Sequence, residues 1–222
     1  WRRARGSIVA YLNSDDTYLP GAVERAVEAL AQDPEAGAVY GEAYHVDEHG
    51  HVLDRYPSEP FSMARLEETC FICQPTVFLR RELVERLGYL DESLHYSLDY
   101  DLWIRVARVG RFVSIPHYLA HSRLHADAKT LLQRVPAHVE IMRTVRRHFG
   151  YVPTSWVYAY ANAVLGPRDR ATKWRDARFV ASVIAISFVE FLRQNRRIPR
   201  AEWARWRGWL GHGWRRLFEA HR

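Results

Sequence analysis

Two acidic residues directly follow the first strand-like segment of this 222-residue chain. Asp15 and Asp16 come after the apolar run at residues 7–12, which has the length of a buried strand. Adjacent carboxylates repel one another unless a cation or several hydrogen-bond donors compensate. Their hard oxygen atoms suit Mg²⁺ or Mn²⁺, particularly where phosphate oxygens complete the coordination shell. The pattern predicts either a metal site or a polar turn that caps the next helix.

A second acidic pair, Asp99 and Asp101, lies in the first turn of a helix predicted over residues 99–109. The helix dipole favours negative charge there, so one residue could cap the helix while the other faces solvent. The chemical alternative is a general base, which takes a proton from an acceptor hydroxyl within hydrogen-bond reach. Both interpretations stay open from the local pattern alone.

A third group of candidate residues lies between positions 123 and 129. His125 could bind a metal ion through a neutral imidazole nitrogen, although a lone loop histidine is more often a surface residue. Arg123 and Lys129 can neutralise the charge of a phosphate group. Lys129 is one of only two lysines in a chain that otherwise uses arginine.

The two cysteines, Cys70 and Cys73, form a single CxxC motif. A zinc site needs a second pair of ligands, and none is suitably spaced, so we expect both to pack in or beside a buried strand. Two cysteines cannot form a disulfide framework, which indicates a cytosolic protein.

The elements that must position these residues alternate between strands and helices, which predicts the α/β class. In open α/β folds, ligands bind at the sheet edge where the strands end. The predicted helices cover 21–32, 80–87, 99–109 and 131–149; strands begin at 7, 38 and 112, extended structure covers 69–79, and a hairpin-like turn covers 47–50.

Five segments together resemble the family 2 glycosyltransferases of the GT-A fold, in that family's order and with its spacing. The resemblance covers roughly residues 5–130. The segments are Tyr11-Leu-Asn-Ser-Asp-Asp-Thr-Tyr-Leu-Pro-Gly-Ala, Val39-Tyr-Gly, Gln74-Pro-Thr-Val-Phe-Leu-Arg-Arg, Gly88-Tyr-Leu-Asp-Glu-Ser-Leu and Asp99-Tyr-Asp-Leu-Trp-Ile-Arg.

The resemblance implies an inverting enzyme that uses a nucleotide-sugar donor and a divalent cation, Mn²⁺ or Mg²⁺. The acceptor is a hydroxyl of a glycan, a lipid-linked sugar or a cell-surface polysaccharide. By resemblance, Asp99 is the catalytic base, while Asp16 and His125 bind the metal ion. The remaining implied roles are donor binding by Ser14, Asp15, Arg123 and Lys129, and sugar or acceptor binding by Gln74, Asp101 and Trp103.

The sequence departs from the family pattern at three places. Ser14 replaces the first Asp of the usual metal motif, and Leu98 replaces the Glu that usually precedes the base. The family's first strands, which hold the nucleotide base, have no counterpart here. We therefore expect a partial GT-A fold, Rossmann-like with a mixed sheet and flanking helices, in a fragment that binds donor weakly or not at all.

Two other functions are compatible with these residues. One is a catalytically silent GT-A-like module that serves binding or interaction; intact Asp16 and Asp99 argue against it. The other is a nucleotidyltransferase on the same fold, which the segment at 99–105 disfavours because it matches the sugar-transferring family.

The C-terminal part differs in composition from the rest of the chain. Residues 170–222 hold 13 Lys or Arg, 4 Asp or Glu and five of the eight tryptophans. Their segment 179–192 is almost entirely apolar but shorter than the roughly 20 residues that cross a bilayer, which predicts a packed helix. We divide the chain into a glycosyltransferase domain at 1–130, a helical connector at 131–169 and a basic, Trp-rich helical tail at 170–222.

Tryptophan interleaved with arginine over 195–222 is typical of a helix at an anionic membrane surface, and would also suit a partner's helix groove. No nucleic-acid-binding motif accompanies the charge, so nucleic acid is not an expected partner. The sequence thus predicts a cytoplasmic protein with peripheral contact at the inner face of the cell membrane.

Overall fold

The computed structural model describes residues 1–124, 133–166, 173–195, 202–204 and 206–208. The chain divides into two units, Trp1–Leu132 and Gln133–Arg222. The division into three parts stays a prediction. The elements of the first unit are β1 (Ile8–Val9), β2 (Thr17–Tyr18), α1 (Ala22–Gln32), β3 (Ala36–Val46), β4 (Val52–Arg55), α2 (Met63–Glu68), a 3-10 helix (Gln74–Thr76), β5 (Phe78–Arg80), α3 (Arg81–Arg86), α4 (Leu98–Val109) and β6 (Arg111–Arg123).

The first unit is built on a six-stranded mixed sheet with the strand order β1-β5-β3-β6-β2, and β4 pairs with β3 outside this path. Strands β3 and β6 run parallel. The other pairs are antiparallel. A mixed sheet with flanking helices confirms the predicted α/β class.

The parallel pair of β3 and β6 is the longest pairing of the sheet. Its register joins Val39 to Val113 and continues to the final pair, Val46 with Arg123. The strand predicted at 112 therefore continues well beyond Pro116. Proline lacks the N–H that a strand ladder uses, and the register shifts on β3 between Tyr40 and Glu42, opposite this part of β6.

Helix α1 covers one face of the sheet and confirms the helix predicted at 21–32. Residues at a spacing of four face inward, because a helix repeats its faces every three to four residues. The cluster that they form with the sheet comprises Ala22, Ala26, Leu30, Ala36, Val39, Phe78 and Leu119.

Helix α4 matches the helix predicted at 99–109 and carries Asp99 in its first turn. Leu102, Trp103 and Val106 are fully buried, so most of the helix belongs to the core. The N-terminal end of a core helix is a rigid place for a functional carboxylate.

The segment between α2 and α3 is less extended than predicted. The structure has a single 3-10 turn at Gln74–Thr76, with Pro75 inside it, before the short strand β5. Proline fits the first turn of a helix because its missing N–H needs no partner there. The predicted turn at 47–50 is confirmed, since it joins β3 to β4.

The second unit is helical, with α5 (Arg134–Phe149), α6 (Thr154–Leu165) and α7 (Lys173–Gln194). Helix α6 packs against both α5 and α7. The Asn195 side chain connects the end of α7 to the segment between α5 and α6. Its Nδ2 donates to the Val152 carbonyl at 2.9 Å, and its Oδ1 accepts from the Val152 N–H at 2.8 Å. Within the described helices, none is both long and apolar enough to cross a membrane.

Substitution of Gly41 tests the close approach of β3 and β6. A Cβ at Gly41 would lie 2.5 Å from the His117 carbonyl oxygen and 2.6 Å from Leu119 Cγ. Because the strand backbone would have to move, we expect Gly41→Ala to lower the free energy of unfolding by about 2–3 kcal/mol in urea denaturation.

Gly37→Ala is the matched control on the same strand. Its added Cβ meets the Leu83 Cδ2 atom at 2.5 Å, which is the end of a flexible side chain. A smaller loss is expected there, and equal losses for the two variants would contradict the assignment to backbone contact.

Candidate active site

The turn after β1 is organised by the Asn13 side chain. Its Nδ2 donates to Asp16 Oδ2 at 3.1 Å and to Gln74 Oε1 at 2.9 Å. Gln74 Nε2 in turn donates to the Tyr11 carbonyl oxygen at 2.6 Å. The 3-10 turn that carries Gln74 is thereby fixed to the acidic turn, so the structure brings together two residues that the sequence predicted separately.

The Asp16 carboxylate is nearly buried, with 7% of the residue exposed. Its Oδ1 accepts from the backbone N–H of Arg123 at 2.9 Å, and its Oδ2 accepts from Asn13. Burial raises the pKa of Asp16, aided by the charge of Asp15, while the two hydrogen bonds oppose the rise. The net rise shows that these donors compensate the buried charge only in part.

The Arg123 guanidinium binds backbone carbonyls. Its Nε donates to the Asp15 carbonyl at 2.9 Å, and its Nη1 donates to the carbonyls of Asp47 at 2.8 Å and Glu48 at 2.7 Å. One side chain therefore joins the acidic turn to the β3–β4 hairpin. The structure gives Arg123 a positioning role, and its contact with a donor phosphate stays a prediction.

Asp99 lies at the N-terminal end of α4, where its Oδ1 accepts from the Tyr100 N–H at 2.7 Å. Burial raises the pKa of Asp99, and the backbone N–H groups of the helix terminus lower it by a smaller amount. The carboxylate therefore keeps more affinity for a proton than an exposed aspartate does.

The Tyr11 phenol is influenced by both carboxylates. Burial raises the pKa of Tyr11, and the charges of Asp99 and then Asp16 add to the rise. Electrostatic interactions weaken with distance, so both carboxylates lie within electrostatic range of this phenol. In the sequence they are 83 positions apart.

The two cysteines line this region. Burial raises the pKa of both thiols, and the charge of Asp99 contributes at each. The Tyr56 hydroxyl donates to the Cys70 carbonyl at 3.2 Å, and Asp99 also raises the pKa of this phenol after burial and the two cysteines. Cys73 is buried and Cys70 partly buried, as expected, but both lie in the irregular segment before the 3-10 turn and not in a strand. The sequence did not predict that they pack beside the acidic residues.

Asp101 and Trp103 are placed in the interior. Asp101 is 1% exposed, and its Oδ2 accepts from Arg105 Nε at 2.7 Å. Trp103 is 0% exposed and meets the Phe112 ring edge-on. In this arrangement neither side chain offers a surface to a ligand, so we leave their predicted sugar or acceptor contacts out of the proposed function.

Three residues of this region were not predicted, and two predicted residues lie outside the described part of the chain. Asn13, Tyr11 and Tyr56 were not predicted as site residues; the first two stand in the motif that carried the resemblance, but their polar contacts are long-range. Ser14 is exposed at the turn, whereas His125 and Lys129 lie outside the described residues.

A divalent cation fits the oxygen-rich turn at Asp15 and Asp16. In the part of the chain that the structure describes, no three His, Cys, Asp or Glu side chains converge as a complete metal site. The carboxylate of Asp16 is nevertheless a hard oxygen donor, is incompletely compensated and adjoins a second carboxylate.

Loss of the Arg105 side chain tests how α4 is anchored. Its Nη1 and Nη2 donate to the Leu87 and Tyr89 carbonyls at 2.8 and 2.7 Å, in addition to the Asp101 contact. Arg105→Met would leave Asp101 buried without this partner, so we expect the free energy of unfolding to fall by about 3 kcal/mol. The matched control is Arg86→Met, at an exposed arginine of α3, and equal losses would contradict the anchoring role.

Part of the chain is similar in sequence to known glycosyltransferases. Residues 1–88 match the model of Glycosyl transferase family 2. An uncharacterized glycosyltransferase of Methanocaldococcus jannaschii is 28% identical over 126 residues, which is 54% of this chain and 43% of the relative. The chondroitin synthase of Escherichia coli is 26% identical over 57% of this chain and 18% of its own length.

One solved structure with a similar chain is the mannosyltransferase PcManGT from Pyrobaculum calidifontis, in complex with GDP-Man and Mn²⁺. It has 18% sequence identity and a TM-score of 0.48, over 85% of this chain and 52% of that one. The chain spans less than half the length of the curated relatives that it matches. Residues 1–88, which contain the Asp15–Asp16 turn and Gln74, are thus similar in sequence to glycosyl transferase family 2.

Proposed function

We propose that this chain contributes the base and metal-binding part of an inverting glycosyltransferase, which moves a sugar from a nucleotide-sugar donor to a hydroxyl acceptor. The observation that carries the proposal is the electrostatic influence of both Asp16 and Asp99 on a common phenol, Tyr11, in a chain whose residues 1–88 match the family 2 model. Two carboxylates, one buried and one partly buried, with separate hydrogen-bond partners can serve separate steps of one reaction.

Asp99 acts as the general base. It takes the proton of the acceptor hydroxyl, whose oxygen forms a bond to the anomeric carbon as the bond from that carbon to the donor diphosphate breaks. The electron pair of the broken bond leaves with the diphosphate, and attack from the opposite face inverts the carbon. A raised pKa suits this role, because a base whose pKa lies nearer the working pH accepts a proton more readily.

Asp16 and His125 would hold a divalent cation, and Ser14, Asp15 and Lys129 would bind the donor. When bound, Mn²⁺ or Mg²⁺ supplies positive charge that stabilises the leaving diphosphate. The chain's own contribution is to orient Asp16, whose two oxygens are held by the Asn13 amide and the Arg123 N–H.

Gln74 acts in this proposal through Asn13 and the Tyr11 carbonyl, which occupy its amide. The acceptor is a hydroxyl of a glycan or of a lipid-linked sugar. The name of the matching chondroitin synthase supports a glycan, and cytoplasmic residence at the inner face of the membrane suits a lipid-linked acceptor.

Asp99→Asn tests the base directly. The amide cannot take the proton, so we expect kcat of the full-length gene product to fall about a hundredfold or more in a sugar-transfer assay with Mn²⁺. Glu24→Gln is the matched control, because Glu24 is an exposed acid in the first turn of α1. If Asp99 were only a first-turn acid, the two variants would keep similar activity.

The pH dependence gives the same variant a second readout. Because the base acts deprotonated and its pKa is raised, kcat/KM should fall as the pH falls through that pKa, at a higher pH than the roughly 3.9 of an ordinary aspartate. The residual activity of Asp99→Asn should not show this fall at low pH. If the fall is unchanged in the variant, another group is responsible for it.

Asp16→Asn tests the cation site. The amide has the same shape but places an N–H₂ group or a neutral oxygen where the carboxylate bound, so Mn²⁺-dependent binding of UDP or GDP should weaken about tenfold or more in calorimetry of the full-length product. Glu48→Gln, an exposed acid of the β3–β4 turn, is the control. Equal nucleotide affinity for wild type and Asp16→Asn, with and without Mn²⁺, would contradict the proposed role.

A further inference from the structure

Helix α7 of the second unit has an unusual distribution of polarity. Its exposed apolar side chains include Phe188, Val189 and Leu192, which are 42%, 64% and 47% exposed. Its buried side combines the apolar Val183 and Phe191 with the polar Ser187 and Glu190. A soluble helix normally exposes polar residues, and a contiguous exposed apolar surface marks an interaction site.

The exposed apolar residues form one continuous face. Their positions differ by four, three, one and three residues, so at 100° per residue they cover an arc of about 100°. The face extends about 17 Å along the helix, at 1.5 Å per residue. We name it the α7 stripe, and its members are Ala181, Ala185, Phe188, Val189 and Leu192.

The other side of α7 is occupied within its own unit. Helix α6 packs against α7, and the Trp206 ring contacts Phe191 edge-on with centroids 5.7 Å apart. The same ring contacts Phe188 at the margin of the stripe, with centroids 5.6 Å apart, and leaves Phe188 42% exposed. Trp203, near Trp206 in the sequence, is 49% exposed. Because only one face of α7 is open, a partner surface can cover it from one side only.

The charge of the unit indicates what that surface is. Residues 133–222 contain 18 Lys or Arg and 6 Asp or Glu, a net charge of +12. Exposed arginines lie near the stripe: Arg178 on the same helical face, Arg193 at its margin and Arg207 beside Trp206. We propose that the α7 stripe docks on the surface of an anionic lipid bilayer, with its apolar side chains at the acyl boundary and the arginines at the headgroups.

A second copy of the chain is a poorer occupant. A symmetric contact would bring two units of +12 together, and like charges at an interface cost free energy. The stripe has only three large side chains, each about half exposed, which is far less than the roughly 800 Å² per partner of a stable interface. A bilayer needs neither a large complementary patch nor an opposing copy.

The test is co-sedimentation of the whole chain with vesicles of phosphatidylcholine alone or with phosphatidylglycerol added. Wild type should bind the anionic vesicles and bind less as salt increases, because screening weakens attraction to the headgroups. Val189→Glu should lower the partition coefficient about tenfold, since a carboxylate replaces an apolar group at the interface.

The matched control is Val23→Glu, which makes the same change at a valine of α1 that is 51% exposed. It should keep nearly the wild-type partition coefficient, and circular dichroism should show both variants folded. Equal binding by the two variants, or no binding by wild type, overturns the proposal. A dimer in sedimentation velocity that Val189→Glu abolishes, without vesicle binding by wild type, would assign the stripe to a second copy instead.

Discussion

The parallel pairing of β3 with β6 is the constraint on which the candidate site depends. Its last pair, Val46 with Arg123, brings the end of β6 to the acidic turn. There the Arg123 N–H binds Asp16, and the guanidinium donates to the carbonyls of Asp15, Asp47 and Glu48. A planar group with several fixed donors can join separate chain segments in one geometry. The orientation of the Asp16 carboxylate therefore depends on the close approach of β3 and β6 at Gly41.

Incomplete compensation of buried charge is the electrostatic consequence. Burying a carboxylate costs free energy unless hydrogen bonds or opposite charge offset the lost hydration. At both Asp16 and Asp99 burial outweighs the donors, so both pKa values are raised. This excess of burial over compensation has a different consequence at each carboxylate. At Asp99 it favours acceptance of a proton, and at the Asp15–Asp16 turn it favours a cation, which would relieve the repulsion between neighbouring carboxylates.

Local patterns predicted the parts of this fold that depend on neighbouring residues. Helices α1 and α4 both follow from their apolar periods, and both were confirmed within a residue. The contacts that build the site are long-range: Asn13 to Gln74 joins positions 61 apart, and the Arg123 N–H to Asp16 joins positions 107 apart. No periodicity encodes such pairs, so the positioning role of Arg123 was not foreseen. The resemblance to a family placed Asp16 and Asp99 in one site, but not the polar groups between them.

The apolar segment at 179–192 shows that composition alone does not predict which face of a helix is buried. Its near-uniform apolarity predicted a packed helix, and α7 does bury one face, but it exposes the other. The net charge of the chain is also distributed unevenly between its two units. Residues 1–132 contain 14 basic and 20 acidic residues, a net of −6, against +12 for the remainder. An anionic bilayer would attract the second unit and repel the first, because opposite charges attract and like charges repel. The acidic residues proposed to bind donor and cation would then belong to the unit that the membrane does not hold.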